Sequence, residues 1–224
     1  MDKSAIRHAA TTILHREIEG VPHILMGQRG AKAAFMPSKF VFPGGAVDES
    51  DFDIPLLHPI ASPCLERLAT DASPELAQAL LIAAVRELWE EAGLILGEQA
   101  EWGAPPPLDW VKFAERGFIP SATGFTFVFR AITPPRRPRR FDARFFLVDA
   151  SNVSGDPDDF SAASDELSHL HWIAIDRARE LDLPFITEVV LAEVAQILRT
   201  GTPPKSVPFF KNDDEQNLFL RLNS

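Results

Sequence analysis

AAVRELWEEAGL, residues 83–94, decides how this chain is read. At about 100° per residue, Glu87, Glu90 and Glu91 fall within an arc of roughly 100° on one side of a helix. Leu81, Ile82, Ala84, Val85, Leu88 and Trp89 take the opposite side. One face is therefore a carboxylate cluster and the other a core stripe. Three carboxylates held close together repel unless something cationic sits among them. Hard oxygen donors of this kind suit Mg²⁺ or Mn²⁺. Arg86 can reach Glu90 one turn on and fix its rotamer. A solvated Glu-rich face is the plainer reading, and the glycines upstream weigh against it.

The helix extends back to Pro74. Ser73 can cap its N-terminus, Pro74 suits the first helical position, and Gly93 stops it near Ala92. Before it, FMPSKFVFPGG (35–45) is a β-prone run ending in consecutive glycines, which let backbone approach a ligand closely. Residues 7–17 and 23–29 read as strands, with Gly20 and Pro22 between them as a loose hairpin turn. Residues 52–73 hold Pro55, Pro59 and Pro63 and no sustained period, so they read as an excursion with a short helix near CLERLA (64–69). Its removal is expected to alter substrate choice more than stability.

Beyond the helix, LILGE (94–98) is a strand candidate, and DWVKFAER (109–116) a short helix within a proline-rich loop. FTFVFRAIT (125–133), ARFFLVDA (143–150) and LHWIAI (170–175) read as strands. DRARELDL (176–183) and ITEVVLAEVAQILR (186–199) read as helices. The tail 201–224, with Phe209, Phe210 and Phe219, is expected to pack back onto the body. Interleaved strands and helices without a repeat imply an α+β arrangement in one domain spanning 1–224.

Composition bounds the partners. With Lys+Arg 22 against Asp+Glu 32, the net charge is -10, which argues against a general affinity for nucleic acid or anionic membrane. The single cysteine, Cys64, can form neither an internal disulfide nor a thiolate zinc site alone. With no apolar run of membrane-spanning length and no leader-like start, the expected setting is the cytoplasm.

Gly45, Asp51 and then Arg86-Glu87-Leu88-Trp89-Glu90-Glu91-Ala92-Gly93-Leu94 resemble the Nudix box, GX5EX7REUXEEXGU, whose second half matches at every specified position. Two departures stand out. Gly45 and Arg86 lie 41 positions apart where the pattern has 14, so 27 residues are inserted before the helix. The first glutamate of the box is replaced by Asp51, or by Gln78 when counted back from Arg86. With RRFDARFFLV (139–148), this pattern resembles the long-insert Nudix branch that includes peroxisomal coenzyme A diphosphatases.

The resemblance implies an α/β/α sandwich, with a mixed sheet between helices, and hydrolysis of a nucleoside diphosphate linked to another group. Coenzyme A or an acyl-CoA is the leading substrate; ADP-ribose, dinucleotides and nucleoside triphosphates are alternatives, and a non-catalytic binding module the least favoured. Glu87, Glu90 and Glu91 would hold Mg²⁺ or Mn²⁺ with the backbone carbonyl of Gly44, supported by Arg86. A further loop glutamate, for which Glu166 is the candidate, would act as base or ligand. Arg29, at a strand end, and Gly45 are candidates to meet the substrate. Arg140, with Arg136, Arg137 and Arg139, could hold a 3′-phosphate, although a solvated strand connection explains that patch better. Many members are homodimers, so a dimer is one assembly to expect. His169 and His171 lack a third ligand, Cys64 lacks a histidine partner, and Phe35, Phe40 and Phe42 read as core before adenine-stacking residues.

Overall fold

The computed structural model describes residues 5–33, 35–212 and 217–223. In chain order its strands and helices are β1 (Ile6–Ile18), β2 (Val21–Arg29), β3 (Phe40–Val41), β4 (Gly44–Ala46), α1 (Cys64–Leu68), α2 (Pro74–Ala92), β5 (Gly97–Gln99), α3 (Val111–Glu115), β6 (Phe118–Pro120), β7 (Thr126–Ile132), β8 (Arg140–Asp149), β9 (Leu167–Ala174), α4 (Phe185–Thr200), β10 (Val207–Asn212) and β11 (Asn217–Leu222). The large sheet runs β11-β10-β7-β8-β1-β2-β3, with β4 added to β1 and β9 to β2. It is mixed: β1 pairs parallel with β8, and β10 parallel with β7, while the other pairs are antiparallel.

The sheet is covered on both faces. One core gathers Ala10, Leu14, Phe127, Phe146 and Val148 under α2 and α1. A second gathers Ile13, Ile24, Val128, Phe145 and Leu147 under Val190, Leu191 and Val194 of α4. Alternate residues of each strand supply the two cores, because successive side chains point to opposite faces. The result is the α/β/α sandwich expected for an α+β chain with this box.

Helix α2 begins and ends where its caps dictate. Ser73 Oγ accepts from the Leu76 amide at 3.2 Å, Pro74 opens the first turn, and Gly93 stops the helix at φ 73°. Thr12 Oγ donates to the Ala84 carbonyl at 2.9 Å and so fastens α2 to the central strand. The β1–β2 turn is tighter than its sequence suggests. Glu19 (φ 52°) and Gly20 (φ 79°) both sit at positive φ, the two-residue arrangement that matches strand twist, and Pro22 lies within β2.

The 52–73 stretch is not a surface excursion. Ile54, Ile60, Cys64 and Leu68 are buried in the α2 core. Leu57 donates to the Pro120 carbonyl, Ala122 to that of His58, and Gln78 Nε2 to that of Ile54. Four buried apolar side chains at roughly 1.5–3 kcal/mol each rival the whole stability of a domain. Removing the stretch therefore acts on folding first, contrary to the sequence-based expectation.

Other elements shift for local reasons. Leu94-Ile95-Leu96 is buried, but its carbonyls accept from Ser154 and Ser121 outside any strand ladder, so β5 starts only at Gly97. DRARELDL forms a single 3-10 turn, Ala178–Glu180, instead of a helix. β8 begins at Arg140 because it pairs with β1 from Ile6 onward. Within the tail 201–224, residues 213–216 and 224 lie outside the described residues; 207–212 and 217–222 form a hairpin on the β7 edge.

Candidate active site

The site forms where β4 crosses the carboxylate face of α2. Gly45 passes so near Glu87 that a Cβ there would overlap Oε1. Gly44 is equally confined on its other side, where a Cβ would meet the Ala10 carbonyl oxygen at 2.6 Å. The Gly44 amide donates to Glu91 Oε2 at 2.8 Å. That amide contact is what the structure shows for Gly44, whose carbonyl the resemblance implies as a metal ligand. The two glycines thus let a strand lie directly over two buried carboxylates.

Arg86 organises the lower side of the site. Nε donates to Asp51 Oδ1 at 2.9 Å and Nη2 to Asp51 Oδ2 at 3.0 Å. Nη1 donates to Glu87 Oε1 at 2.8 Å and Glu90 Oε2 at 3.2 Å, and Nη2 also reaches the Ala46 carbonyl at 2.9 Å. Asp51 is fully buried and accepts from the Asp48 amide at 2.8 Å. The choice between Asp51 and Gln78 is thereby resolved. Asp51 takes the bidentate place beside the arginine, and Gln78 bonds the insertion backbone. A shorter acid suffices because the Glu49–Phe52 turn brings its backbone close.

The electrostatics are unbalanced. Burial, with Glu90 and Glu166 nearby, pushes the Glu87 carboxyl up to about 7 despite Arg86. Glu91 is raised well above the usual carboxylate range, first by burial and then by Glu87; the Gly44 amide and Arg29 offset this only in part. Glu90 is raised by burial, with Arg86 opposing and the charge of Asp109 adding to it. For Arg86, burial alone would favour the neutral form, but Asp51, Glu87 and Glu90 together hold the guanidinium firmly charged. More negative charge is buried here than the arginines neutralise.

Two residues from distant elements join the cluster. Arg29, at the end of β2, places Nη1 3.8 Å from Glu91 Oε1 and Nη2 3.4 Å from Glu166 Oε1. Glu166 sits just before β9, which pairs with β2 through Arg29↔Leu167. Arg140 is placed elsewhere: at the start of β8, its guanidinium donates to the Thr133 and Asn212 carbonyls. Phe42 is buried in the α4-side core, Phe40 packs edge-on to His171, and Phe35 edge-on to Phe141. His169 and His171 make short-range contacts to Ser168 and to the His169 carbonyl. Asp48 and Asp109 bear on the site and were not singled out from sequence; no spacing rule links them to α2. Asp48 could have been found from its place three residues before Asp51.

The donor set fits a hard divalent cation. Its members are carboxylates, crowded and desolvated, with main chain brought close to them at Gly44 and Gly45. Among the described residues no group of three or more His, Cys, Asp or Glu stands ready-arranged around a metal position. The carboxylates turn instead toward Arg86 and Arg29. Among the described residues no helix is long and apolar enough to cross a membrane.

No protein-family model matches the chain. It is 30% identical over 181 residues to a protein provisionally named nudix hydrolase 7 of Caenorhabditis elegans, covering 76% of this chain and 52% of that protein. It is 34% identical over 109 residues to acyl-coenzyme A diphosphatase NUDT19 of Gallus gallus, covering 38% of this chain and 29% of that one. The chain thus spans about half the length of the first curated relative and under a third of the second. A NUDIX hydrolase from Alicyclobacillus acidocaldarius superposes with a TM-score of 0.61 at 26% identity, covering 84% of this chain and 90% of that structure. Fold, box and relatives agree, and the chain belongs to the Nudix hydrolase superfamily.

Proposed function

We propose that this protein is a metal-dependent hydrolase that cleaves the diphosphate linkage of a nucleoside diphosphate derivative. The observation that carries the reading is the buried, under-neutralised pair Glu87 and Glu91 beneath the Gly44-Gly45 strand. Glu87, Glu90 and Glu91 would hold Mg²⁺ or Mn²⁺, with Gly44 main chain alongside. When bound, such an ion neutralises phosphate oxygens and makes water a better nucleophile.

The chain's own residues do the rest. Asp51 keeps Arg86 in place, and Arg86 in turn orients Glu87 and Glu90. Gly44 N–H fixes the rotamer of Glu91. Glu166, more than half exposed, is the carboxylate able to take a proton from water. Arg29 offers a guanidinium to phosphate oxygens in a protein whose net charge of -10 otherwise repels them. A coenzyme A or acyl-CoA substrate is the finer reading, supported by the long insertion before α2 and by the partial likeness to NUDT19.

The test is hydrolysis of coenzyme A, acetyl-CoA, ADP-ribose, NADH, a diadenosine polyphosphate and nucleoside triphosphates with Mg²⁺ or Mn²⁺, products identified by mass. Glu91→Gln runs alongside and should lose at least about a hundredfold in turnover, ~2.7 kcal/mol of barrier. Release of 3′,5′-ADP from coenzyme A would establish the finer reading. Cleavage of another member keeps the chemistry and replaces the substrate. Metal binding with no cleavage would favour a binding module.

A further inference from the structure

Arg29 is placed as if it occupied the position of something else. Among the described residues it is the cation that the structure brings to Glu91. Arg86 cannot serve there, since Asp51, Glu87, Glu90 and the Ala46 carbonyl take up its guanidinium. Arg29 is held by little else. Its Nε is buried without a hydrogen-bond partner, and its two carboxylate contacts, at 3.8 and 3.4 Å, are near pairings and not a closed fork. One of those partners, Glu91, is almost fully buried, and the other, Glu166, is 57% exposed in the loop before β9.

We propose that Arg29 is an exchangeable counter-ion: it holds Glu91 and Glu166 in the metal-free chain, yields them to the divalent ion, and then turns to the substrate diphosphate. This rests on the metal-dependent reading above. The argument is electrostatic. A guanidinium and a divalent ion cannot both lie within about 4 Å of one buried carboxylate without strong mutual repulsion. Binding of the ion and the Arg29–Glu91 contact therefore compete. No bond is made or broken; two carboxylates exchange one positive charge for two. The displaced guanidinium stays at the end of β2, beside the exposed Glu166, where its fork matches phosphate oxygens. The ion thus has to enter before the diphosphate finds its arginine, and binding becomes ordered.

Calorimetric titration with Mn²⁺ alone at pH 8.5 tests this on wild type, Arg29→Gln and Arg29→Lys. Competition predicts that Arg29→Gln binds Mn²⁺ more tightly, by about tenfold for one removed partial contact, while Arg29→Lys stays near wild type. With saturating Mn²⁺, Arg29→Gln should bind imidodiphosphate more weakly than wild type. Unchanged or weaker Mn²⁺ binding in Arg29→Gln, with a wild-type melting curve, overturns the exchange but leaves the metal-dependent reading standing. A wild type that binds no Mn²⁺ removes that reading and the exchange with it. Should Arg29→Gln fail to fold, wild type with ¹⁵N-labelled arginine decides: the Arg29 Nε–H resonance must shift on Mg²⁺ saturation, and a static resonance refutes the exchange.

Discussion

Two buried arginine networks sit on the α2 side of the sheet, and they are charged in opposite senses. At the site, Arg86 is shared among Asp51, Glu87 and Glu90, with Glu91 close by. On β7 and β8, Asp142 is shared between two arginines. It accepts from Arg130 Nε and Nη2 at 2.9 and 2.8 Å and lies 3.0 Å from Arg144 Nη1. The exposed Asp71 only touches Arg130, at 3.4 Å. In the first network carboxylates are raised, Glu87 to about 7; in the second, burial lowers Arg144 to about 10. Arg144 Nη2 is buried without a partner. The difference lies in what each network touches. Arg130 bonds the Thr70 carbonyl and stacks 4.2 Å over Phe209, so the cation-rich network pins the insertion and tail to the sheet. The anion-rich network touches the two-glycine strand and, through Glu90 and Glu166, solvent. An excess of buried carboxylate there suits the divalent ion proposed above.

The comparison breaks most sharply at Asp142. Asp142→Asn leaves two buried guanidinium groups without their carboxylate, a change that costs about 3–5 kcal/mol. Urea unfolding at pH 7.5 should show that loss, with Mn²⁺ affinity of the folded fraction unchanged. A loss below about 1 kcal/mol would mean that the second network is not structural.

Removing a carboxylate from the other network should have the reverse sign. Glu91→Gln keeps the shape and the acceptor for Gly44 N–H, and deletes a charge whose burial and whose neighbour Glu87 both oppose ionisation. Metal-free at pH 9, where the unfolded chain carries this carboxylate ionised and burial opposes the charge in the fold, the variant should melt several degrees higher, on the order of 1 kcal/mol. A lower melting point would show that Arg29 and Gly44 already compensate Glu91 fully.

How much of this was legible beforehand follows from range. The caps of α2, its two faces and the box depend on residues within one helix and one turn, and both periodicity and spacing report them. Strand assignments near β1, β2 and β7 followed from alternation and β-branched content. The burial of Ile54, Ile60 and Leu68 was not legible, because prolines break the period that would signal a core element. Arg140 read as part of a loop, since its pairing with Ile6 joins residues far apart in the chain. The approach of Arg29 to Glu166 depends on the β2–β9 register, which no local pattern carries. Both could be named as candidates from chemistry, but only the fold brings them within 3.4 Å.

The smallest expected effect sharpens the comparison on the pH axis. Glu87 titrates near 7 in the folded chain against an ordinary 4.5, so its raised value favours folding only while it is protonated. That contribution is fully present below 4.5 and is lost as pH rises through 7. The slope for one proton is at most roughly 1.4 kcal/mol per pH unit. His8 and His15 act oppositely in the same window. Burial holds both below 6.5, so they add stability as pH rises. The cleaner quantity is therefore the difference between wild type and Glu87→Gln, measured metal-free by urea unfolding from pH 4.5 to 8. Wild type should lose ground to the variant up to about pH 7 and then level off, and saturating Mg²⁺ should abolish the trend by binding the ionised form. A flat difference would mean that Arg86 alone neutralises Glu87. The site's negative excess would then rest on Glu91, and the contrast with the Asp142 network would narrow to one residue.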